Sequence, residues 1–259
     1  MKRKVSGRRI LITGASSGIG RALALDLARR KNSLLLTARR EDRLEILAAE
    51  VRELGGEPVV VAGDITDTNL RDRVVSQTQE SFGGLDIVIN NAGVGGIGTF
   101  ASADEARLRK IMEVNFFAPA ELSRATLPLL RASDDGVIVN IGSVLGHCAV
   151  PKKSEYCASK FAMHGLTDSL RMELASEGID VLLVSPSTTS SEFFDQAMRS
   201  DGKASKNDSP MTPEQVAVHT IRAIERGKRE VVLSMGGKLL VWADRLVPSI
   251  VSRVLRRYG

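Results

Sequence analysis

Tyr156 and Lys160 are four residues apart, a spacing that puts a phenol and an ammonium on one face of a helix. The lysine charge favours tyrosinate over tyrosine and is expected to pull the phenol pKa toward neutrality. A phenol tuned in this way can pass a proton to or from an alcohol oxygen at physiological pH. Ser143 lies thirteen residues upstream of Tyr156. Tyrosine and lysine share helix faces in many proteins, so the pair gains weight only from Ser143 and from a glycine-rich turn near the N-terminus.

That turn is Thr13-Gly14-Ala15-Ser16-Ser17-Gly18-Ile19-Gly20. It follows the apolar run Ile10-Leu11-Ile12, which reads as a buried strand, and precedes Ala22 to Ala28, which reads as an amphipathic helix. Glycines at a strand-to-helix junction allow a tight turn and close backbone approach to a phosphate. The helix N-terminus then presents free N–H groups and a positive dipole end to a pyrophosphate.

These groups must be positioned by a scaffold, and the hydrophobic pattern supplies one. Strands are expected near 8–13, 33–38, 58–62, 85–90, 136–142, 179–185 and 229–233, and helices near 18–31, 41–55, 67–82, 103–131, 154–177 and 213–227. Regular alternation implies an α/β fold, a doubly wound Rossmann-type domain with a parallel seven-stranded sheet flanked by helices. Gly14, Asn91, Ser143 and Pro186 each follow a strand, so one crevice beyond the carboxyl ends of the strands collects them.

Together these residues resemble the short-chain dehydrogenase/reductase family from Ile10 to about Leu233. Thr13 to Gly20 is similar to its cofactor turn T-G-x-x-x-G-x-G, and Asn90-Asn91-Ala92-Gly93 to its N-N-A-G motif. Ser143, Tyr156 and Lys160 match its catalytic residues, and Asn115 its frequent fourth member. The resemblance implies hydride transfer between a nicotinamide and a carbonyl or secondary alcohol, with Tyr156 as general acid or base. Lys160 would also hold the nicotinamide ribose, and Gly14, Ser16, Ser17, Gly18, Ile19 and Gly20 the pyrophosphate. Asp64 and Ile65 would lie at the adenine, and Asn91, Ala92 and Gly93 at the adenosine half. Pro186, Thr189 and Ser191 would grip the nicotinamide carboxamide. The family commonly has glycine after this proline and a threonine further on. Here Ser187 and Ser191 stand in those places, which restricts the backbone path of the loop.

The second strand ends in Arg39-Arg40 instead of the acid that would bind the ribose hydroxyls of NAD. A guanidinium pairs with a 2′-phosphate, so NADP(H) is the expected cofactor. Pro119 has no N–H to give the Asn115 carbonyl, so a kink and a free carbonyl are expected there. The resemblance implies a water on that carbonyl that relays protons to Lys160. Val94 to Ile97, Val144 to Val150, Phe193 and Phe194 are expected pocket walls, apolar enough to favour a lipophilic substrate. His147 could touch substrate, but a lone loop histidine reads first as a surface or packing residue.

At 259 residues with 43% apolar content and no linker, repeat or charge block, residues 1–235 read as one domain and 236–259 as its C-terminal extension. The net charge of +5 comes from basic residues interspersed with acids, which excludes a nucleic-acid binder. Cys148 and Cys157 lack metal-ligand spacing and read as reduced thiols, and no metal is expected. With no signal peptide or transmembrane run, a cytoplasmic setting is expected. From Leu239 to Tyr258 apolar residues recur at helical spacing with arginines off that face, and Pro248 divides the segment. Such a helix packs on the domain or a partner subunit, the favoured reading, or lies in a membrane interface. A homodimer or homotetramer is a family expectation. The alternative function is a non-catalytic dinucleotide sensor on the same fold, for which Tyr156 would have no use.

Overall fold

The structure is a computed structural model and describes residues 3–190, 193, 197–199 and 210–256. The strands are β1 (Arg9–Thr13), β2 (Ser33–Ala38), β3 (Glu57–Ala62), β4 (Ile87–Asn90), β5 (Gly96–Ile97), β6 (Val137–Ile141), β7 (Asp180–Ser185), β8 (Met198–Arg199) and β9 (Glu230–Val232). The helices are α1 (Gly18–Ala28), α2 (Glu41–Glu53), α3 (Thr68–Phe82), α4 (Glu105–Met112), α5 (Ala118–Arg131), α6 (Ser154–Glu173), α7 (Pro213–Glu225), α8 (Met235–Leu246) and α9 (Pro248–Leu255). Seven strands form one parallel sheet in the order β3-β2-β1-β4-β6-β7-β9. The chain builds outward from β1 to β3, returns to the centre and builds out the other way from β4. The order therefore reverses between β1 and β4, and the crevice opens there.

Strand alternation divides the core between the two faces of the sheet. Ile10, Ile12, Leu34, Leu36, Ile87, Ile89, Val137 and Val139 face Leu23 and Leu27 of α1, Leu44 and Leu47 of α2, and Val216 and Ile221 of α7. Leu11, Leu35, Val88 and Ile138 face Leu70 and Val74 of α3 and Leu122 and Leu130 of α5. Burying each of these leucines or isoleucines contributes about 1.5–3 kcal/mol before the entropy of ordering is subtracted. A buried polar chain crosses the sheet centre, where Asn90 Nδ2 donates to Ser123 Oγ (2.9 Å) and Asn140 Oδ1 (2.8 Å). Asn140 Nδ2 then donates to Thr167 Oγ1 on α6 at 2.9 Å.

Two features depart from the expected elements. β5 and β8 form a separate two-residue parallel ladder, Gly96 with Met198 and Ile97 with Arg199, too short for any periodicity to show. Between α4 and α5 the helix widens into a π-turn over Glu113–Phe117, where Ala118 N donates to Glu113 O. Proline at 119 cannot supply the usual N–H to residue 115, and the chain answers by adding a residue to the turn. The helix thus accommodates Pro119 without ending. As expected, Pro248 divides the C-terminal segment into α8 and α9.

Candidate active site

The cleft beyond the strand ends has a volume of about 410 Å3 and is lined from the cofactor turn to the start of α6. At one end lie Gly14, Ser16, Ser17, Gly18 and Ile19. Gly20 is packed against the turn, and a Cβ there would fall 2.4 Å from Gly14 O and 2.6 Å from Asn91 Nδ2. Asn91 Nδ2 donates to Thr13 O (2.9 Å) and Gly14 O (3.2 Å), while Asn91 N and Ala92 N both donate to Thr13 Oγ1 at 3.0 Å. These bonds fasten the turn after β1 to the loop after β4. The N-cap of α1, Ser17, makes no side-chain cap, and the first turn of the helix carries no acid. A helix start that lines the cleft with no acid in its first turn fits a pyrophosphate.

Arg39 and Arg40 line the same end of the cleft. Arg40 Nη2 donates to Ser17 Oγ at 2.8 Å and Ser16 Oγ at 3.2 Å, which draws the guanidinium toward the turn. Gly63, Asp64 and Ile65 form the neighbouring wall. The Asp64 carboxylate accepts from Thr66 N (3.0 Å) and Oγ1 (2.8 Å) and pairs with Lys110 at 3.2 Å. Burial works to raise the Asp64 pKa, but the bonds from Thr66 and Lys110 outweigh it and hold it below the usual carboxylate value.

At the other end, β6 delivers Ser143 and α6 delivers Tyr156 and Lys160, and all three line the cleft. The Ser143 hydroxyl accepts from Leu145 N at 3.1 Å, which fixes the 3-10 turn Val144–Gly146 behind it. Tyr156 is buried, edge-on to Phe193 at 5.9 Å between ring centroids. Lys160 Nζ donates to Ile141 O at 2.9 Å and sits 5.8 Å from the centre of the Tyr156 ring. Burial pushes the phenol up to about 12 against the opposing Ser143 hydroxyl, and it lowers the lysine to about 8. The expected downward pull on Tyr156 is thus reversed in the protein alone. Spacing shows that the two side chains share a helix face but not the burial that raises the phenol here.

Asn115 lies in the π-turn, and its side chain is held on both sides. Its Oδ1 accepts from Val94 N at 2.8 Å, and its Nδ2 donates to Val94 O (2.9 Å) and Ser159 Oγ (3.0 Å). It therefore ties the Asn91-Ala92-Gly93 loop, all three residues of which line the cleft, to α6. After β7, Pro186 O accepts from Val144 N at 2.9 Å, and Pro186 and Thr189 line the cleft with Ser187 and Thr188 between them. Ser187 is not among the residues with positive φ, so serine in place of glycine costs no backbone strain there. Ser191 and Phe194 lie outside the described residues.

Of the expected walls, Val94, Val144, Leu145, Val150 and Phe193 line the cleft. Lys153 and Leu240 line it too and were not expected. Lys153 is one helical turn before Tyr156, and burial lowers its pKa. His147 is a packing residue, with Nε2 2.8 Å from Ser185 Oγ, and burial lowers its pKa to about 4. Cys148 and Cys157 are buried free thiols, and burial raises the pKa of both. A buried ion pair also went unforeseen. Arg107 Nε and Nη2 donate to Glu155 Oε1 at 3.0 and 2.7 Å, which anchors the first turn of α6 beside Tyr156.

Residues 8–201 match the family model for short chain dehydrogenase, and the chain belongs to that family of NAD(P)-dependent oxidoreductases. The chain is 34% identical to the dehydrogenase/reductase SDR family protein 7-like of Anopheles gambiae, over 98% of this chain and 84% of that protein. It is 35% identical to the 11-beta-hydroxysteroid dehydrogenase-like 4A of Arabidopsis thaliana, over 96% of this chain and 83% of that protein. A short chain dehydrogenase/reductase from Burkholderia phymatum, solved in complex with NAD, shares the fold with a TM-score of 0.87 at 24% identity and 96% coverage of both chains. The protein is therefore an oxidoreductase acting on CH–OH or C=O groups. Among the described residues no helix is long and apolar enough to cross a membrane.

Proposed function

We propose that this protein reduces lipophilic carbonyl compounds with NADPH, with Tyr156 as the proton donor. The observation that carries the reading is a single cleft with Arg39 and Arg40 at one end and Ser143, Tyr156 and Lys160 at the other. When bound, the reduced nicotinamide supplies a hydride to the carbonyl carbon. Tyr156 Oη gives its proton to the carbonyl oxygen as the C–O π pair moves onto that oxygen. Ser143 Oγ hydrogen-bonds the same oxygen and sets its distance from the phenol. Lys160 stabilises the tyrosinate left behind, and Asn115 holds the Asn91-Ala92-Gly93 loop that would carry the cofactor.

Three considerations support the finer points. Burial raises the Tyr156 pKa, so the phenol keeps its proton in the protein alone. Arg40, held by the Ser16 and Ser17 hydroxyls, offers a guanidinium suited to a 2′-phosphate. Val94, Val144, Leu145, Val150, Phe193 and Leu240 make the substrate half of the cleft largely apolar, in keeping with the hydroxysteroid name of one relative. We read residues 1–235 as the catalytic domain and 236–259 as its extension. Exposed Phe117, Phe161 and Met172 on the α5 and α6 side support self-association through those helices into a dimer or tetramer.

Calorimetric titration with NADPH and NADH, followed by turnover of a lipophilic ketone, tests the reading. Tight NADPH binding with ketone reduction is expected. A preference for NADH would void the role of Arg39 and Arg40, and binding without turnover of any carbonyl or alcohol would favour a dinucleotide sensor.

A further inference from the structure

α8 and α9 both expose large apolar side chains. Met235, Leu239, Trp242 and Leu246 recur at helical spacing along α8, and Val247, Ile250 and Val254 are exposed at the start of α9 and within it. Leu239 is 71% exposed, Trp242 65%, Leu246 72% and Ile250 59%. Isolated exposed leucines are ordinary, but a stripe that includes a tryptophan, with further apolar side chains exposed on the next helix, is not.

The opposite side of α8 meets the protein, and α9 packs against α8. Gly237 and Val241 of α8 and Val251 of α9 are buried. Gly237 approaches Val144 so closely that a Cβ would fall 2.8 Å from Val144 Cγ2. Leu240, next in sequence to exposed Leu239, lines the cleft. Thus α8 forms one wall of the substrate end of the cleft while its outer face is bare.

The charges of these helices point to the occupant. Lys238, Arg245, Arg253 and Arg256 are exposed on the same segment. The lone acid of the two helices, Asp244, is only partly exposed and bonds the Cys148 thiol. An apolar stripe with a cationic border fits an anionic bilayer surface. A second copy of the same face would bring like charges together.

We propose that α8 and α9 dock flat on an anionic lipid bilayer and set the substrate end of the cleft at its surface. Lipophilic substrate then reaches Tyr156 from the bilayer past Leu240. The route rests on the carbonyl-reductase reading above, whereas the docking itself does not.

Trp242 is the sole tryptophan, so its emission reports on this face directly. The full chain would be mixed with phosphatidylcholine vesicles with and without phosphatidylserine. The expected result is a blue shift with phosphatidylserine, quenching by brominated acyl chains, and binding about tenfold weaker to neutral vesicles. Leu239→Ser, Leu246→Ser and Ile250→Ser combined should lower vesicle binding by about tenfold or more and leave turnover of a short water-soluble ketone unchanged. The same variant should lose about tenfold in kcat/KM for a ketone dissolved in the vesicles, by the same weakening of binding.

Emission indifferent to vesicles, or undiminished flotation of the triple variant, overturns the proposal. So does a fall in mass by light scattering in the variant, which would make the stripe an interface between copies of the chain. Ketone turnover without vesicle binding defeats the docking alone. Vesicle binding without turnover of any ketone defeats only the reductase reading and, with it, the substrate route.

Discussion

Gly20→Ala adds a single methyl at the one point where the cofactor turn, the start of α1 and the loop after β4 meet. The added carbon would lie 2.4 Å from Gly14 O and 2.6 Å from Asn91 Nδ2, where about 3.4 Å is the ordinary limit of contact. Both groups must retreat by roughly an ångström, and neither is a flexible side-chain end. Gly14 O is backbone, and Asn91 Nδ2 is held by Thr13 O and Gly14 O. A retreat of that size moves the N–H groups at the head of α1 out of reach of a pyrophosphate. Each hydrogen bond to a charged group contributes about 1.5–3 kcal/mol, so losing two weakens cofactor binding by a factor of roughly 10^2–10^4. Overpacking adds about 1–3 kcal/mol of destabilisation. Gly165→Ala is the matched control. It lies inside α6 with nothing within 4 Å of the added carbon, and it should stabilise the protein by about 0.5–1 kcal/mol with cofactor affinity unchanged. Calorimetry and urea unfolding of both variants read the effects. Gly20→Ala binding NADPH within threefold of the parent would refute this account of the turn.

Arg40→Ala should reduce any preference for NADPH over NADH by about 10–100-fold, the value of one charge-assisted hydrogen bond, as read from the ratio of KM values; an unchanged ratio would clear Arg40 of that role. Asp86, 6% exposed, accepts from Arg9 and Ser133, and its pKa is brought down from 3.8 to about 2 because those bonds outweigh the opposing effect of burial. Its folded pKa lies below the unfolded one, so roughly 2 kcal/mol of stability is present above pH 4 and is lost as pH falls through about 2. Asp86→Asn should therefore be less stable by about that amount at neutral pH in urea titrations, and the gap should narrow between pH 4 and pH 2; a gap independent of pH would contradict the assignment.

Legibility from sequence followed the physics of each feature. Ile10-Leu11-Ile12 read as a strand because a central parallel strand is buried on both faces and must be apolar throughout. Gly14, Asn91, Ser143 and Pro186 share one cleft, as their positions after strands predict, because parallel strands all deliver their ends to one side. What spacing could not carry was environment. The buried setting of Tyr156 and Lys160 reversed the expected direction of the tyrosine shift. The pairing of Arg107 with Glu155 joins α4 to α6 across a distance in sequence that no periodicity links. Leu240 belonged to a recognised amphipathic pattern, but which of its faces met the cleft depended on how α8 docks. Pro119 signalled a disturbed helix, and only the backbone showed that the disturbance is a π-turn.

The central claim is that Tyr156 Oη protonates the substrate oxygen as hydride is delivered. The most direct measurement is ketone-dependent oxidation of NADPH by the parent protein and by Tyr156→Phe, with cofactor affinity measured on the same samples. The account predicts that the variant binds NADPH like the parent and loses turnover by a factor of about 10^2–10^4, the usual contribution of a positioned proton donor. Turnover within threefold of the parent at equal cofactor affinity would contradict it.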